Sequence, residues 1–78
     1  ILSPKIRVNA VCPGFVDTTW WFQYFDEKSY EDFKNSQKEK SKLKRITKPQ
    51  EVAEAVLFLI NNEAITGEIL RVDSGCSL

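Results

Sequence analysis

Two short segments rich in β-branched residues stand near opposite ends of this 78-residue chain, with a helix pattern between them. The first covers residues 6–11, and Pro13 and Gly14 end it, because proline cannot donate to a strand ladder and glycine lets the backbone turn. The second covers residues 68–72 and follows a turn at Gly67. A strand, a helical crossover and a second strand predict a βαβ unit, with parallel strands and a right-handed connection.

The segment after residue 46 has the strongest helix pattern in the chain. Thr47 and Gln50 fit a capping box, in which both side chains bind free amides at a helix start, and Pro49 is tolerated in the first turn. A helix is therefore predicted over residues 49–60. Its apolar side chains form a broad stripe, which predicts that other structure covers the helix widely. The stripe consists of Val52, Ala53, Val56, Leu57, Leu59 and Ile60.

The stretch between these elements is long and highly charged. A helix is predicted around residues 26–39, inside a partly helical excursion over residues 18–45. Charges four residues apart predict a solvated helical face; the alternative is a basic surface that meets an anionic group of a cofactor or substrate. The charged residues are Asp26, Glu27, Glu31, Asp32, Lys34, Lys38, Glu39, Lys40, Lys42, Lys44, Arg45 and Lys48.

Two parallel strands alone do not make a stable sheet, since parallel sheets are normally covered on both faces and extended by further strands. A chain this short also buries only about 60% of its unfolded surface. No methionine occurs at position 1 or anywhere else. We therefore expect the chain to be part of a longer α/β protein, or to bind a partner that completes its sheet.

Charge and cysteine content weigh against several classes of protein. Eleven basic and eleven acidic residues cancel, which removes the general electrostatic argument for binding nucleic acid or an anionic membrane. No apolar run reaches the roughly 18 residues of a membrane span. Two cysteines, Cys12 and Cys76, without a signal-like start predict a reducing, cytoplasmic compartment. Without histidine or a cluster of metal-ligating residues, no metal site is expected.

Three longer motifs carry more specific information: IRVNAVCPGFVDT, LKRITKPQEVAEAVLFL and ITGEILRVDSG. Together they resemble the C-terminal third of the short-chain dehydrogenase/reductases. The resemblance implies the C-terminal βαβ portion of a doubly wound, Rossmann-like fold with a partly helical substrate-loop insertion. Residues 1–18 would supply a strand and the nicotinamide-side turn, residues 19–46 the variable substrate loop, and residues 47–78 the last helix and strand. Ser74 departs from the family pattern, which usually has glycine there.

Enzymes of that family transfer hydride between NAD or NADP and an alcohol or carbonyl. The resemblance implies that their glycine-rich loop, catalytic serine and tyrosine-lysine pair lie upstream of residue 1. It also implies that Pro13, Gly14, Val16 and Thr18 hold the nicotinamide end of the cofactor, through the Val16 backbone and the Thr18 hydroxyl. A carboxamide has donors and an acceptor that such groups can match. The alternative is a tight turn without a ligand, and Asn9 is expected to be a structural hydrogen-bonding residue.

Aromatic residues are dense around the variable loop, residues 19–42. If this loop is a lid, its rings would line an apolar substrate pocket, with Trp20, Trp21 and Phe22 as candidates. Equally, the lid could pack onto its own domain, or the rings could form a subunit contact. The aromatic residues are Phe15, Trp20, Trp21, Phe22, Tyr24, Phe25, Tyr30 and Phe33.

Two pairs, Tyr24 with Lys28 and Tyr30 with Lys34, have the family's Tyr-x-x-x-Lys spacing. Both follow the Pro-Gly turn, whereas the family's catalytic pair precedes it, so neither is expected to be catalytic. Two functions remain open. The first is part of an oxidoreductase with a small-molecule substrate, NAD or NADP, and homo-oligomer contacts through the last helix and strand. The second is a non-catalytic interaction module of the same fold.

Overall fold

The computed structural model describes residues 4–78. Its strands and helices are β1 (Ala10–Pro13), a short 3-10 helix (Thr19–Gln23), α1 (Glu27–Lys40), α2 (Pro49–Asn61) and β2 (Ile69–Val72). The two strands pair in parallel, in a register that runs from Ala10 opposite Ile69 to Pro13 opposite Val72. The parallel pairing and the second strand confirm the sequence-based prediction.

The first strand was predicted over residues 6–11, but β1 begins only at Ala10 and ends at Pro13. The preceding residues instead bind the turn that leads into β2: the Val8 amide donates to Thr66 Oγ1, and the Val8 carbonyl accepts from the Gly67 amide. Pro13 is tolerated because Ala10 and Gly14 donate to the Glu68 and Val72 carbonyls, so the intervening odd-numbered Pro13 has its nitrogen on the side of β1 that faces away from β2. Competition from the α2–β2 connection therefore moved the strand along the sequence.

Helix α1 confirms the helix predicted around residues 26–39. Asp26 caps it, since its carboxylate accepts from the Ser29 amide at 2.8 Å. Of the side chains of α1, that of Tyr30 is buried, at 4% exposure. Phe33, which is half-buried against Phe15 and Phe25, is the second aromatic ring that attaches this otherwise polar helix.

Helix α2 is where it was predicted, but its start is built differently. Lys48, not Thr47, is the N-cap residue, and the carboxylate of Glu51, not the side chain of Gln50, accepts from the Lys48 amide at 2.8 Å. Thr47 is 2% exposed, and its hydroxyl bonds the Ser74 hydroxyl instead. The predicted capping box was thus one residue early, because a tertiary partner takes the threonine side chain.

Within residues 4–78, the apolar stripe of α2 is largely uncovered. Leu59 is buried, whereas Val56, Leu57 and Ile60 are exposed. The wide cover predicted for this helix does not come from the described part of the chain. Among those same residues, no helix is both long and apolar enough to cross a membrane.

Candidate nicotinamide-side turn and substrate loop

The turn after β1 packs closely against the residue that follows β2. A Cβ atom added at Gly14 would lie 2.7 Å from the Asp73 Cβ and 3.2 Å from its Cα, so only glycine fits without a backbone shift. The Gly14 amide also donates to the Val72 carbonyl at 3.2 Å. Pro13 and Gly14 therefore bring this turn to the carboxyl edge of the parallel sheet, where open α/β sheets bind ligands.

Val16 leaves a free backbone donor in the turn. It forms a parallel bridge with Thr47, and its carbonyl accepts from Trp21 Nε1 at 2.9 Å. Its amide donates to no acceptor among residues 4–78. The Val16 carbonyl is therefore bound within the chain, and the Val16 amide is available to a ligand.

Thr18 has a free hydroxyl next to a cavity. The residue is half-buried and extended, and although it precedes the 3-10 helix, its side chain does not cap that helix. Its hydroxyl makes no hydrogen bond with any of residues 4–78. It lines a cavity of about 260 Å³ together with Asp17, Thr19, Phe22, Glu27, Tyr30, Glu31 and Lys34. Of the four residues predicted to hold the cofactor, Thr18 is the one that lines this cavity.

A polar contact that the sequence did not indicate joins the turn to α1. The Tyr30 hydroxyl donates to Asp17 Oδ1, and Lys34 Nζ lies 3.6 Å from Asp17 Oδ2 and 3.4 Å from Glu31 Oε1. Burial, followed by the hydrogen bond to Asp17, raises the pKa of the Tyr30 phenol well above its usual value. Tyr30 and Lys34 therefore both contact the Asp17 carboxylate, and the tyrosine is held in its protonated form there.

The aromatic residues divide into an inner and an outer group. The inner rings pack on one another: Phe15 lies 5.1 Å from Trp21 and 5.4 Å from Phe33, between ring centroids, and Phe25 stacks on Phe33 at 5.0 Å. The outer rings of Trp20, Phe22 and Tyr24 are each half or more exposed. Of the three substrate-binding candidates, Trp21 thus belongs to the loop's own core, while Trp20 and Phe22 face outwards.

A buried hydroxyl cluster holds the end of the loop against the residue after β2. Ser74 has a φ of 54°, in the left-handed region that favours glycine, and its carbonyl accepts from Ser41 Oγ at 2.7 Å. Its hydroxyl lies 2.8 Å from that of Thr47. Ser74 thus adopts a backbone conformation that favours glycine while two hydrogen bonds hold it to Ser41 and Thr47. Asn9, as predicted, is structural: it binds the Ile65 carbonyl and the Glu68 amide.

The free groups of the turn fit the carboxamide of a nicotinamide ring. The Val16 amide is a donor, and the Thr18 hydroxyl can donate or accept, which together match a carboxamide oxygen and its NH2 group. Both belong to residues whose backbone is held by neighbouring elements, through Thr47 for Val16 and through the 3-10 helix for Thr18. The turn therefore presents one amide donor and one hydroxyl that no other described residue binds.

Comparison with known proteins identifies relatives of this chain. A family model described as enoyl-(acyl carrier protein) reductase matches residues 2–77. The short-chain dehydrogenase/reductase homolog YusR of Bacillus subtilis is 38% identical over 77 residues, covering 99% of this chain and 55% of the relative. The 3-oxoacyl-(acyl-carrier-protein) reductase FabG of Thermotoga maritima is 39% identical over 73 residues. This match covers 91% of this chain and 28% of the relative. The chain thus spans about half or less of these relatives.

Solved structures show the same relationship. A small-chain dehydrogenase crystallised with NADPH superposes with a TM-score of 0.86 at 28% identity, covering 96% of this chain and 33% of the other. The ligand-free aldohexose dehydrogenase of Thermoplasma acidophilum superposes with a TM-score of 0.83 at 37% identity. The match covers 96% of this chain and 32% of the other. These similarities confirm the Rossmann-like α/β fold, in a family that uses NAD or NADP. Because the family model covers nearly the whole sequence, the chain belongs to the short-chain dehydrogenase/reductase family.

Proposed function

We propose that this chain is the C-terminal part of an NAD(P)-dependent oxidoreductase that transfers hydride between the cofactor and an alcohol or carbonyl. The observation that carries the proposal is the pair of free groups, the Val16 amide and the Thr18 hydroxyl, in a turn that the Gly14 and Asp17 amides and the Val16 carbonyl anchor to neighbouring elements. The glycine-rich loop and the catalytic serine, tyrosine and lysine would come from residues outside this sequence. Residues 1–18, 19–46 and 47–78 keep their predicted roles as turn, substrate loop and final helix and strand.

In this proposal the turn orients the nicotinamide ring. The Val16 amide donates to the carboxamide oxygen, and the Thr18 hydroxyl binds the carboxamide nitrogen, so the ring is held by two points and presents one face to the substrate. The cofactor itself supplies or accepts the hydride. Pro13 and Gly14 contribute by fixing the turn against Asp73.

The substrate loop would contribute an apolar surface beside that ring. Trp20 and Phe22 are each about half exposed, and Phe22 lines the same cavity as Thr18. Aromatic side chains there would exclude water from the hydride transfer and bind the apolar part of a small alcohol or carbonyl substrate. This arrangement supports the substrate-lid interpretation for the outer rings only.

The test is cofactor binding by the complete protein that contains this chain. Thr18→Val removes one hydrogen bond and should weaken NADH or NADPH binding by about 2- to 13-fold, equivalent to roughly 0.5 to 1.5 kcal/mol. Thr18→Ser keeps the hydroxyl and should bind nearly as well as the wild type. Fluorescence titration of the reduced cofactor measures both. If the wild type bound neither NADH nor NADPH, the proposed function would be wrong.

A second function is favoured by the uncovered stripe of α2: a non-catalytic interaction module of the same fold. Val56, Leu57 and Ile60 would then bury against a full-length relative or another copy. The intact mass in the source separates the two functions. A species of about 25 to 30 kDa, the size of one complete doubly wound domain, supports the oxidoreductase. A species near 9.0 kDa that dimerises without binding cofactor supports the module.

Two further expectations belong to the oxidoreductase proposal. A homo-oligomer would use the last helix and strand, because their apolar side chains are exposed: Leu57 and Phe58 in α2 and Ile69 in β2. We also propose a cytoplasmic location, which is supported by the two cysteines, since neither forms a disulfide among the described residues.

A further inference from the structure

Asp17 is the point at which three parts of the chain meet beside the proposed nicotinamide turn. Its amide donates to the Thr47 carbonyl at 3.2 Å, which ties it to the segment before α2. Its side chain accepts from the Tyr30 hydroxyl and lies 3.6 Å from Lys34 Nζ, which ties it to α1. The residue directly follows Val16 and directly precedes Thr18, so its position influences both free groups.

Tyr30 is the buried partner in this arrangement. It is 4% exposed, whereas the side chains of Asp17 and Lys34 are 44% and 26% exposed. A hydrogen bond from a buried phenol to a carboxylate is of the stronger, charge-assisted kind. The Lys34 ammonium also lies 5.5 Å from the centre of the Tyr30 ring, within cation–π range. The hydrogen bond from Tyr30 therefore restricts the Asp17 side chain, which would otherwise be free to move in solvent.

Thr18, Asp17 and Tyr30 also line one cavity, so a ligand that contacts the Thr18 hydroxyl lies next to this hydrogen bond. If the bond is removed, Asp17 keeps its backbone contact with Thr47 and its ion pair with Lys34, but loses its hydrogen bond to the buried side of α1. The peptide between Asp17 and Thr18 is then held less tightly, and the Thr18 hydroxyl is expected to shift. Positioning on the scale of an ångström matters for such a contact.

We infer that Tyr30 is a positioning residue: through its hydrogen bond to Asp17 it holds Thr18 in place for the nicotinamide carboxamide. This inference rests on the proposed function and assigns to the Tyr-x-x-x-Lys pair in α1 a role distinct from acid–base chemistry. Tyr30 does not touch the reacting atoms; it acts on the cofactor through its neighbour. Its effect should therefore be confined to the nicotinamide end of the dinucleotide.

Two ligands test this in the complete protein. NADH or NADPH carries the nicotinamide ring, whereas ADP-ribose or its 2′-phosphate carries the rest of the dinucleotide without it. Tyr30→Phe should weaken binding of the full cofactor about 2- to 10-fold, in the range of a lost hydrogen bond, and leave ADP-ribose binding unchanged. A merely structural role would weaken both ligands alike, and that result would overturn the inference.

A double-mutant cycle gives the second readout. Once Thr18→Val has removed the hydroxyl, Tyr30→Phe should cost little further affinity, so the two effects should not add. Tyr24→Phe deletes the same hydroxyl from an exposed ring of the same loop and should be additive with Thr18→Val. Full additivity for Tyr30→Phe as well would overturn the positioning role.

Asp17→Ala is the second variant, and binding by the wild type separates failure of this inference from failure of the proposed function. If Tyr30→Phe fails to fold, Asp17→Ala removes the same hydrogen bond from its more exposed partner and should show the same selective loss of nicotinamide binding. Equal losses for both ligands would again contradict the inference. If the wild type binds neither ligand, the proposed function itself fails. Suppose instead that the wild type binds both the cofactor and ADP-ribose, but that the Tyr30 and Asp17 variants show no selective loss of cofactor binding. The proposed function then stands and this inference is wrong.

Discussion

Arg7 shows how much a single side chain can do at the residue scale. Its guanidinium donates to four carbonyl oxygens around the end of α2, at distances of 2.8 to 3.1 Å. The last carbonyls of a helix have no partner within the helix, and a positive charge there also favours the helix dipole. The four acceptors belong to Leu59, Ile60, Asn62 and Ile65. No local sequence pattern predicts a role for Arg7, because its partners lie more than fifty residues away.

Replacement of Arg7 by methionine should destabilise the complete protein by about 1 to 3 kcal/mol, because several carbonyls lose a charged donor at once. Urea unfolding monitored by circular dichroism measures the change. Arg71→Met is the matched control, since Arg71 bonds the Ser77 hydroxyl on an exposed surface. This surface substitution should change the free energy of unfolding by no more than about 0.5 kcal/mol. Equal effects of the two variants would contradict the role assigned to Arg7.

At the scale of elements, the start of α2 depends on Glu51. The hydrogen bond from Arg45 at 2.7 Å, followed by the bond from the Lys48 amide, lowers the pKa of the Glu51 carboxyl below its usual value. A carboxyl whose pKa is lower in the folded state stabilises the fold above its unfolded pKa. This stabilisation is lost progressively as the pH falls from the pKa of the carboxyl in the unfolded state through its lower pKa in the folded state. The N-terminus of α2 is therefore an acid-sensitive point.

Glu51→Gln should flatten the loss of stability on acidification, because the glutamine cannot take up the proton. The measurement is the urea midpoint of the complete protein at neutral pH and at steps below the usual glutamate value of 4.5. Glu54→Gln, on an exposed part of the same helix, should leave the pH dependence as in the wild type. An identical pH profile for wild type and Glu51→Gln would rule out this contribution.

The helices were predictable from the sequence, whereas the bounds of β1 and the cap of α2 were not. The periodic patterns for α1 and α2 placed both helices within about a residue, since amphipathic spacing is a local property. The strand at residues 6–11 shifted to Ala10–Pro13 because Val8 binds the turn at Thr66 and Gly67. The cap moved from Thr47 to Lys48 because Ser74 competes for the threonine hydroxyl.

At the scale of the whole molecule, the chain is more open than an independent domain. Its accessible surface is 5976 Å², whereas a compact 9.0 kDa protein exposes about 4,900 Å². Its radius of gyration is 15.4 Å, against about 11.5 Å expected for 78 residues. The exposed surface includes large apolar side chains of α2 and β2, among them Leu57, Phe58 and Ile69, which further sheet and helix layers would cover.

The 78-residue chain on its own should therefore be poorly folded or associated. Its exposed apolar side chains and two-stranded sheet leave it short of a stable core. We expect a broad thermal transition and concentration-dependent association, measured by circular dichroism and sedimentation velocity. The complete protein, as the control, should melt cooperatively. A sharp cooperative melt of the 78-residue monomer would contradict this prediction.

The sequence by itself determined the βαβ order, both helices, the Pro-Gly turn and the family, because these depend on local periodicity, turn chemistry and short motifs. It also placed Val16 and Thr18 in the turn that we propose binds nicotinamide. Only the tertiary structure brought Asp17 to Tyr30, Thr47 to Ser74 and Arg7 to the end of α2. Those contacts join residues 13, 27 and 52 positions apart. They depend on how elements pack, which side-chain spacing along one element does not encode.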